Sequence, residues 1–197
     1  IKDHIFHGGV QDSGLRKEVW LFLLNVYPWD SSADEREQLN ETLREIYSNN
    51  YKSKWLNRTA DEDGHEEEYW QDQLFRIEKD VKRNDRDLEL YKYNTADGEC
   101  PQAASKNGQQ ASDAAEEEGH WEIKNPHLMA LKNILVCYNL YNPNLGYVQG
   151  MADLLSPIYY IIGDEALAFW CFVNFMDRME RNFLRDQSGI RDQMITL

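Results

Sequence analysis

Residue types that would indicate metal, disulfide or redox chemistry are scarce in this 197-residue sequence. The three cysteines, Cys100, Cys137 and Cys171, lie far apart and without Cys-x-x-Cys spacing, so the sequence predicts neither a zinc site nor a disulfide framework. The five histidines show no metal-ligand spacing either. We therefore expect no bound metal, and we expect Cys137 and Cys171, which stand in apolar helical segments, to be buried thiols.

Basic residues are also few, since 21 lysines and arginines face 35 acidic residues and leave a formal net charge of −14. The absence of a basic stripe argues against nucleic-acid binding, and an acidic surface would be repelled by anionic lipid. No apolar run approaches the roughly 20 residues that cross a bilayer, and the start lacks the apolar core of a signal peptide. We expect a soluble, cytoplasmic protein with no nucleic-acid partner and no transmembrane segment.

The alternation of apolar and polar residues that marks β-strands is missing, and nearly every ordered stretch has a helical period. The sequence therefore predicts an all-α fold, and its 42% of hydrophobic residues can form one sizeable core. A first helix is expected to run from Leu15 to Val26 and to end before Pro28. Ser32 followed by Glu35 has the spacing of a capping box, which opens a second helix.

The middle of the chain combines one strong helical stripe with a segment of different composition. Apolar residues at helical spacing run from Trp70 to Val81, which places Asp80 and Arg83 near the end of a helix. Residues 94–119 consist mostly of Ala, Gln, Ser, Asp, Gly and Glu, with almost no large apolar residue. This composition predicts a flexible low-complexity insert within the domain.

Three further helices are predicted after the insert. Asn125 as the N-cap and Pro126 at the first helical position mark the start of one. Asn142-Pro143-Asn144 ends it, which leaves Tyr147 to Gln149 in a loop just before the next helix. Gly163-Asp164 then opens the last long helix.

The chain also lacks a Gly-x-x-x-x-Gly-Lys-Ser/Thr loop, so it has no recognisable phosphate-binding loop of its own. It does offer Arg83 at a helix end and Gln149 in a loop. Hydrolysis of GTP on a small GTPase requires a water placed in line with the γ-phosphate and charge neutralised on the phosphate oxygens. Glutamine suits the first task and arginine the second. The pair therefore indicates a protein that acts on a nucleotide held by a partner.

Three short motifs in this order resemble the signature of TBC-domain proteins, the GTPase-activating proteins of Rab GTPases. They are Arg-x-x-x-Trp at residues 16–20, Ile-x-x-Asp-x-x-Arg at residues 77–83 and Tyr-x-Gln-Gly at residues 147–150. The sequence at residues 146–157 and at Phe169-Trp170-Cys171-Phe172 further resembles the Gyp-type branch, which is thought to act on late-endosomal or vacuolar Rabs. The resemblance extends over nearly the whole chain.

The resemblance implies a multi-helix TBC domain of which residues 1–197 form only a part, because a complete domain has further helices after the glutamine motif. It implies that Arg83 is an arginine finger and that Gln149 is a glutamine finger that positions the attacking water. A Rab GTPase partner would carry the GTP and the Mg²⁺, and the chain would have no cofactor of its own. Through the Rab, the protein would associate peripherally with endosomal or vacuolar membranes.

Supporting roles are expected for the residues around the two fingers. Tyr147 would pack behind Gln149, Gly150 would allow another backbone to approach closely, and Asp153 would brace the glutamine loop or simply lie exposed. The other motif residues are expected to be structural: Arg16, Trp20 and Ile77.

Each functional role has a structural alternative. Arg83 could be a solvated charge paired with Asp80 or Asp87 at helical spacing. Asp80 could orient the finger, steady the loop or take part in that surface ion pair. Gln149 could be a loop glutamine bonded to its own backbone. For the whole chain, the alternatives are a catalytically silent Rab-binding scaffold and a helical interaction module whose motif matches are accidental.

Overall fold

The computed structural model of the chain describes residues 2–58, 65–84, 87–92 and 123–183, together with residues 189, 191, 194 and 195. All regular secondary structure in these residues is helical, which confirms the all-α prediction. The predicted insert at residues 94–119 lies outside the described residues.

Eight α-helices can be numbered in the described part of the chain. They are α1 (Lys2–Gly8), α2 (Ser13–Leu23), α3 (Ala33–Ile46), α4 (Ser53–Leu56), α5 (His65–Arg83), α6 (Pro126–Tyr141), α7 (Met151–Ile162) and α8 (Glu165–Met179). A π-helical segment, Tyr47–Lys52, joins α3 to α4, and short 3-10 turns occupy Glu89–Tyr91 and Glu180–Asn182. No described helix is long and apolar enough to span a membrane.

Helix α6 lies at the centre of the fold and packs against α5, α7 and α8. It begins at the predicted cap, because the Asn125 side chain accepts the N–H groups of His127 and Leu128 at 2.8 and 3.2 Å. Its predicted apolar stripe is buried throughout: Leu128, Leu131, Ile134, Leu135 and Tyr138. A helix covered on several sides needs this breadth of apolar surface.

The predicted capping box of α3 is confirmed, and α8 begins at the predicted Gly163-Asp164. Ser32 and Glu35 form the reciprocal capping box, with the Ser32 N–H donating to Glu35 Oε2 at 2.7 Å and the Glu35 N–H donating to Ser32 Oγ at 3.3 Å. Asp164 caps α8 by accepting the Leu167 N–H at 2.9 Å. Both helices therefore begin where their sequences provide an acceptor side chain.

The first long helix is shorter than the sequence predicted. Helix α2 ends at Leu23, because Asn25 adopts a left-handed conformation with φ of 56° and the Val26 N–H turns back to the Leu21 carbonyl at 2.9 Å. Leu15 is exposed, whereas Val26 is buried from the turn that follows the helix. The backbone turn, rather than helical spacing, brings Val26 into the core.

Polar side chains fix the start of α8 against α3 and the π-helical segment. The Tyr47 hydroxyl donates to Glu165 Oε1 at 2.6 Å, and Lys52 Nζ lies 2.9 Å from the same oxygen. Arg44 forms an ion pair with Asp164 at 2.9 Å. Burial raises the pKa of the Tyr47 hydroxyl well above its ordinary value of 10, and the Glu165 charge acts in the same direction.

The two cysteines that the structure describes are buried thiols, as predicted. Cys137 lies in α6 and Cys171 in α8. Burial raises the pKa of each thiol to about 12. Both therefore remain protonated at neutral pH and act as small apolar side chains in the core.

Candidate functional site

Arg83 is the last residue of α5, and its side chain is exposed. Ile77 and Val81, on the opposite face of the same helix, are completely buried and fix the helix end to the core. Within the described residues, Arg83 forms no ion pair with Asp80 or Asp87, so the structure does not contain the surface pair that the spacing allowed. The guanidinium is presented to solvent from an anchored helix terminus.

Gln149 lies in the loop between α6 and α7, two residues before α7 begins, and its side chain is exposed. The loop is turned by Gly150, which has a left-handed φ of 95°, and by the Met151 N–H, which donates to the Val148 carbonyl at 3.1 Å. Within the described residues the Gln149 amide makes no hydrogen bond to its own backbone. Its amide is therefore open to solvent, like the guanidinium of Arg83.

Tyr147 connects the glutamine loop to the arginine helix at two points. Its hydroxyl donates to Asp80 Oδ2 at 2.7 Å, and its backbone N–H donates to Gln73 Oε1 at 2.8 Å. Asp80 and Gln73 stand seven residues apart on α5, which places them on the same face of that helix. The residue two positions before Gln149 is thus bonded to the helix that ends at Arg83.

The Asp80–Tyr147 hydrogen bond is partly buried. Tyr147 is buried, and this burial raises the pKa of its hydroxyl well above the ordinary value of 10. The hydrogen bond to Asp80 and the Asp80 charge act in the same direction. The hydroxyl therefore remains a proton donor, and Asp80 is occupied by Tyr147 rather than by Arg83.

The sequence reasoning missed three polar residues that support this loop. Gln73 Oε1 also accepts Asn139 Nδ2 at 3.2 Å, and Asn139 Oδ1 accepts the Tyr69 hydroxyl at 2.8 Å. We refer to Tyr69, Gln73, Asn139 and the Tyr147 N–H as the polar network. One signal was available, because Asn139 is a polar residue within the otherwise apolar buried face of α6.

Gly146 allows the polar network to approach the backbone of the loop. It has a left-handed φ of 66°, and a Cβ at this position would lie 3.0 Å from the Tyr69 hydroxyl and 3.3 Å from Gln73 Oε1. A side chain would therefore be strained and would press on two members of the network. Both the turn and the contact therefore favour glycine at this position.

The structure also describes three other residues singled out in the sequence, Arg16, Trp20 and Asp153. Arg16 donates through Nε and Nη2 to the Val10 carbonyl at 3.1 and 2.9 Å, which ties the α1–α2 connection to α2. Trp20 is partly buried and packs against the core. Asp153 lies exposed in the first turn of α7.

Comparison with known proteins identifies the class of this chain. Residues 118–197 match the sequence model of the Rab-GTPase-TBC domain, a range that includes Gln149. Over 98% of its length the chain is also 34% identical to mouse TBC1 domain family member 17, of which it covers 25%. The chain belongs to the Rab-GTPase-TBC domain family.

Within this family the chain is similar over its whole length to yeast proteins named GTPase-activating protein GYP7. It is 60% identical to the protein of Candida glabrata and 55% identical to that of Saccharomyces cerevisiae. The matched regions cover 25% and 27% of those proteins. The chain therefore spans about a quarter of the length of these relatives, and the matches include the segment that carries Arg83.

Proposed function

We propose that this chain stimulates GTP hydrolysis by a Rab GTPase, with Arg83 and Gln149 supplied in trans. The observation that carries the proposal is the attachment of Tyr147 to Asp80, because it joins the loop of Gln149 to the helix of Arg83. The names of the yeast relatives, which describe GTPase-activating proteins, support the same reaction. Residues 1–197 would then be the part of a TBC domain that carries both fingers.

In the proposed reaction, a GTP-loaded Rab docks over the end of α5 and the α6–α7 loop. Arg83 lies beside the β- and γ-phosphates and offsets the charge that develops on their oxygens, while Gln149 holds the attacking water. The Rab carries both the nucleotide and the Mg²⁺. Both side chains start from anchored backbone, so little reorganisation is needed as the transition state forms.

The test is single-turnover GTP hydrolysis by a panel of purified Rab GTPases that includes late-endosomal and vacuolar members, measured with and without the chain. We expect acceleration of at least one Rab. Arg83→Ala should lower the accelerated rate by about 10³–10⁵-fold, and Arg83→Lys should not restore it, because an ammonium group lacks the planar fork. Gln149→Ala should cost at least about 10²-fold.

The matched controls are Arg76→Ala and Gln71→Ala, which remove exposed side chains of the same two types from α5, the helix that ends at Arg83. Both should retain the parent rate. Binding of GTP-loaded Rab should change much less than the rate in either finger variant, since both fingers act mainly in the transition state. Binding without acceleration by a folded chain would favour the Rab-binding scaffold, and acceleration untouched by either finger substitution would exclude Arg83 and Gln149 as the catalytic pair.

A further inference from the structure

We propose that Gln73 is a positioning residue for the hydrolysis reaction, acting through the backbone of Tyr147 to fix where Gln149 lies relative to Arg83. This inference rests on the proposed function. Neither the sequence motifs nor the family match assigns a role to Gln73, which lies four residues before the first residue of the arginine motif.

The geometry indicates a specific attachment rather than general packing. Gln73 is buried, and its Oε1 accepts two hydrogen bonds, from the Tyr147 N–H at 2.8 Å and from Asn139 Nδ2 at 3.2 Å. A carbonyl oxygen has two lone pairs, so this acceptor is fully used. Buried amide groups of this kind are costly to leave unpaired, which gives the arrangement a strong preference for one geometry.

The attachment is also placed where a positioning role requires it. Asp80 holds the Tyr147 hydroxyl and Gln73 holds the Tyr147 N–H, so a single residue is fixed to α5 at both its side chain and its backbone. One bond alone would leave the residue free to pivot about that contact. Two bonds to one helix set both the position and the orientation of the loop segment that leads to Gln149.

The turn at Gly146 is also fitted to the polar network. Gly146 has no side chain, and a Cβ there would press on Tyr69 and Gln73. The backbone and the polar network are therefore fitted to each other over Gly146 and Tyr147. Gln149 follows only two residues later, so a displacement at Tyr147 is passed directly to it. Small misplacement of a catalytic group can cost about 10²-fold in rate.

The main test variant is Gln73→Met, which keeps the length of the side chain and removes its acceptor. We expect the Tyr147 segment, residues 145–150, to exchange its amide hydrogens at least about tenfold faster. With the most responsive Rab of the panel, the accelerated rate at saturating chain should fall about 10- to 100-fold, while the half-saturating concentration stays within about twofold. Tyr69→Phe, a milder change at the edge of the network, should shift both readouts in the same direction by less.

A double-mutant cycle separates positioning from a loss of stability. In the Gln149→Ala background, Gln73→Met should lower the rate by no more than about twofold, because the group that it positions is already gone. Tyr47→Phe is the matched control, since it removes a buried hydroxyl bonded to Glu165 rather than to the loop. It should leave both the exchange of residues 145–150 and the accelerated rate at their parent values.

Two results would overturn the inference while leaving the proposed function intact. One is unchanged exchange of residues 145–150 in Gln73→Met, and the other is an equal loss of rate with and without Gln149. If the parent chain accelerates no Rab at all, the proposed function fails and the positioning role of Gln73 in hydrolysis fails with it. The exchange measurement needs no Rab, so it reports on the attachment independently of that outcome.

Discussion

At the residue scale, the candidate site depends on how Tyr147 is held. Its aromatic ring is buried, its hydroxyl reaches Asp80 and its N–H reaches Gln73. Arg83 and Gln149, by contrast, are both exposed. This difference in exposure suits the proposed roles. Arg83 and Gln149, which would meet a partner, face solvent, whereas Tyr147, which holds the glutamine loop in place, is buried. The exposed pair could be predicted from motif spacing, whereas Gln73 could not.

The Asp80–Tyr147 hydrogen bond should contribute measurably to stability. It joins a neutral donor to a carboxylate in a partly buried setting, and hydrogen bonds to charged groups contribute about 1.5–3 kcal/mol. We expect Tyr147→Phe and Asp80→Ala each to lower the free energy of unfolding in urea. In a double-mutant cycle the two changes should show a coupling of about 1–2 kcal/mol.

Asp80→Asn serves as the conservative control, because the amide oxygen can still accept the Tyr147 hydroxyl. Its loss of stability should be smaller than that of Asp80→Ala. Strictly additive effects of Tyr147→Phe and Asp80→Ala would mean that the hydrogen bond does not stabilise the chain in solution.

At the element scale, the α6–α7 loop determines how the two motifs meet. The sequence predicted the end of α6, a turn at Gly146 and a new helix soon after Gln149, and the structure has all three. These boundaries follow from local chemistry, because Pro143 cannot continue the helix and Gly146 and Gly150 permit the left-handed turns that follow it. The attachment of the loop to α5 spans more than 60 residues of sequence, so no local pattern encodes it.

Glycine substitutions should distinguish backbone strain from contact with the polar network. Gly146 and Gly163 have nearly the same left-handed φ, 66° and 65°, but only a Cβ at Gly146 meets other atoms within 4 Å. We expect Gly163→Ala to cost about 1–2 kcal/mol in urea unfolding, from strain alone. Gly146→Ala should cost about 1–3 kcal/mol more, because the added methyl group displaces Tyr69 and Gln73.

Gly146→Ala should also lower the accelerated hydrolysis rate, whereas Gly163→Ala should leave it unchanged. Equal losses of stability in the two variants would show that contact between the added methyl group and the polar network does not change the free energy of unfolding. Equal hydrolysis rates with the two variants would show that displacing the polar network does not change the position of Gln149.

At the scale of the whole molecule, buried tyrosines connect distant helices. Tyr47 joins the π-helical segment to α8, and Tyr147 joins the α6–α7 loop to α5. Burial raises the pKa of both hydroxyls well above 10. In the unfolded chain they ionise near pH 10, so above that pH the folded state retains protons that the unfolded state has lost.

The free energy of unfolding should therefore fall as the pH rises above about 10, by about 1.4 kcal/mol per pH unit for each of the two tyrosines. Below pH 10 both states are protonated and this contribution is fully present. Urea unfolding between pH 9 and about pH 11 measures the slope. Tyr47→Phe and Tyr147→Phe should each make it shallower by about 1.4 kcal/mol per pH unit, and the double variant by both amounts. A double variant that keeps the parent slope would contradict this account.

The sequence by itself determined the helical class, most helix caps, the buried stripe of α6 and the exposed positions of Arg83 and Gln149, because each depends on residues within one or two helical turns. It misplaced the end of α2, where a left-handed Asn25 breaks the helical spacing. Only the tertiary structure decided that the two motifs lie together. That proximity requires the hydroxyl and the backbone N–H of Tyr147, in the α6–α7 loop, to find the Asp80 carboxylate and the buried Gln73 amide on α5. Such pairing is set by packing rather than by local sequence.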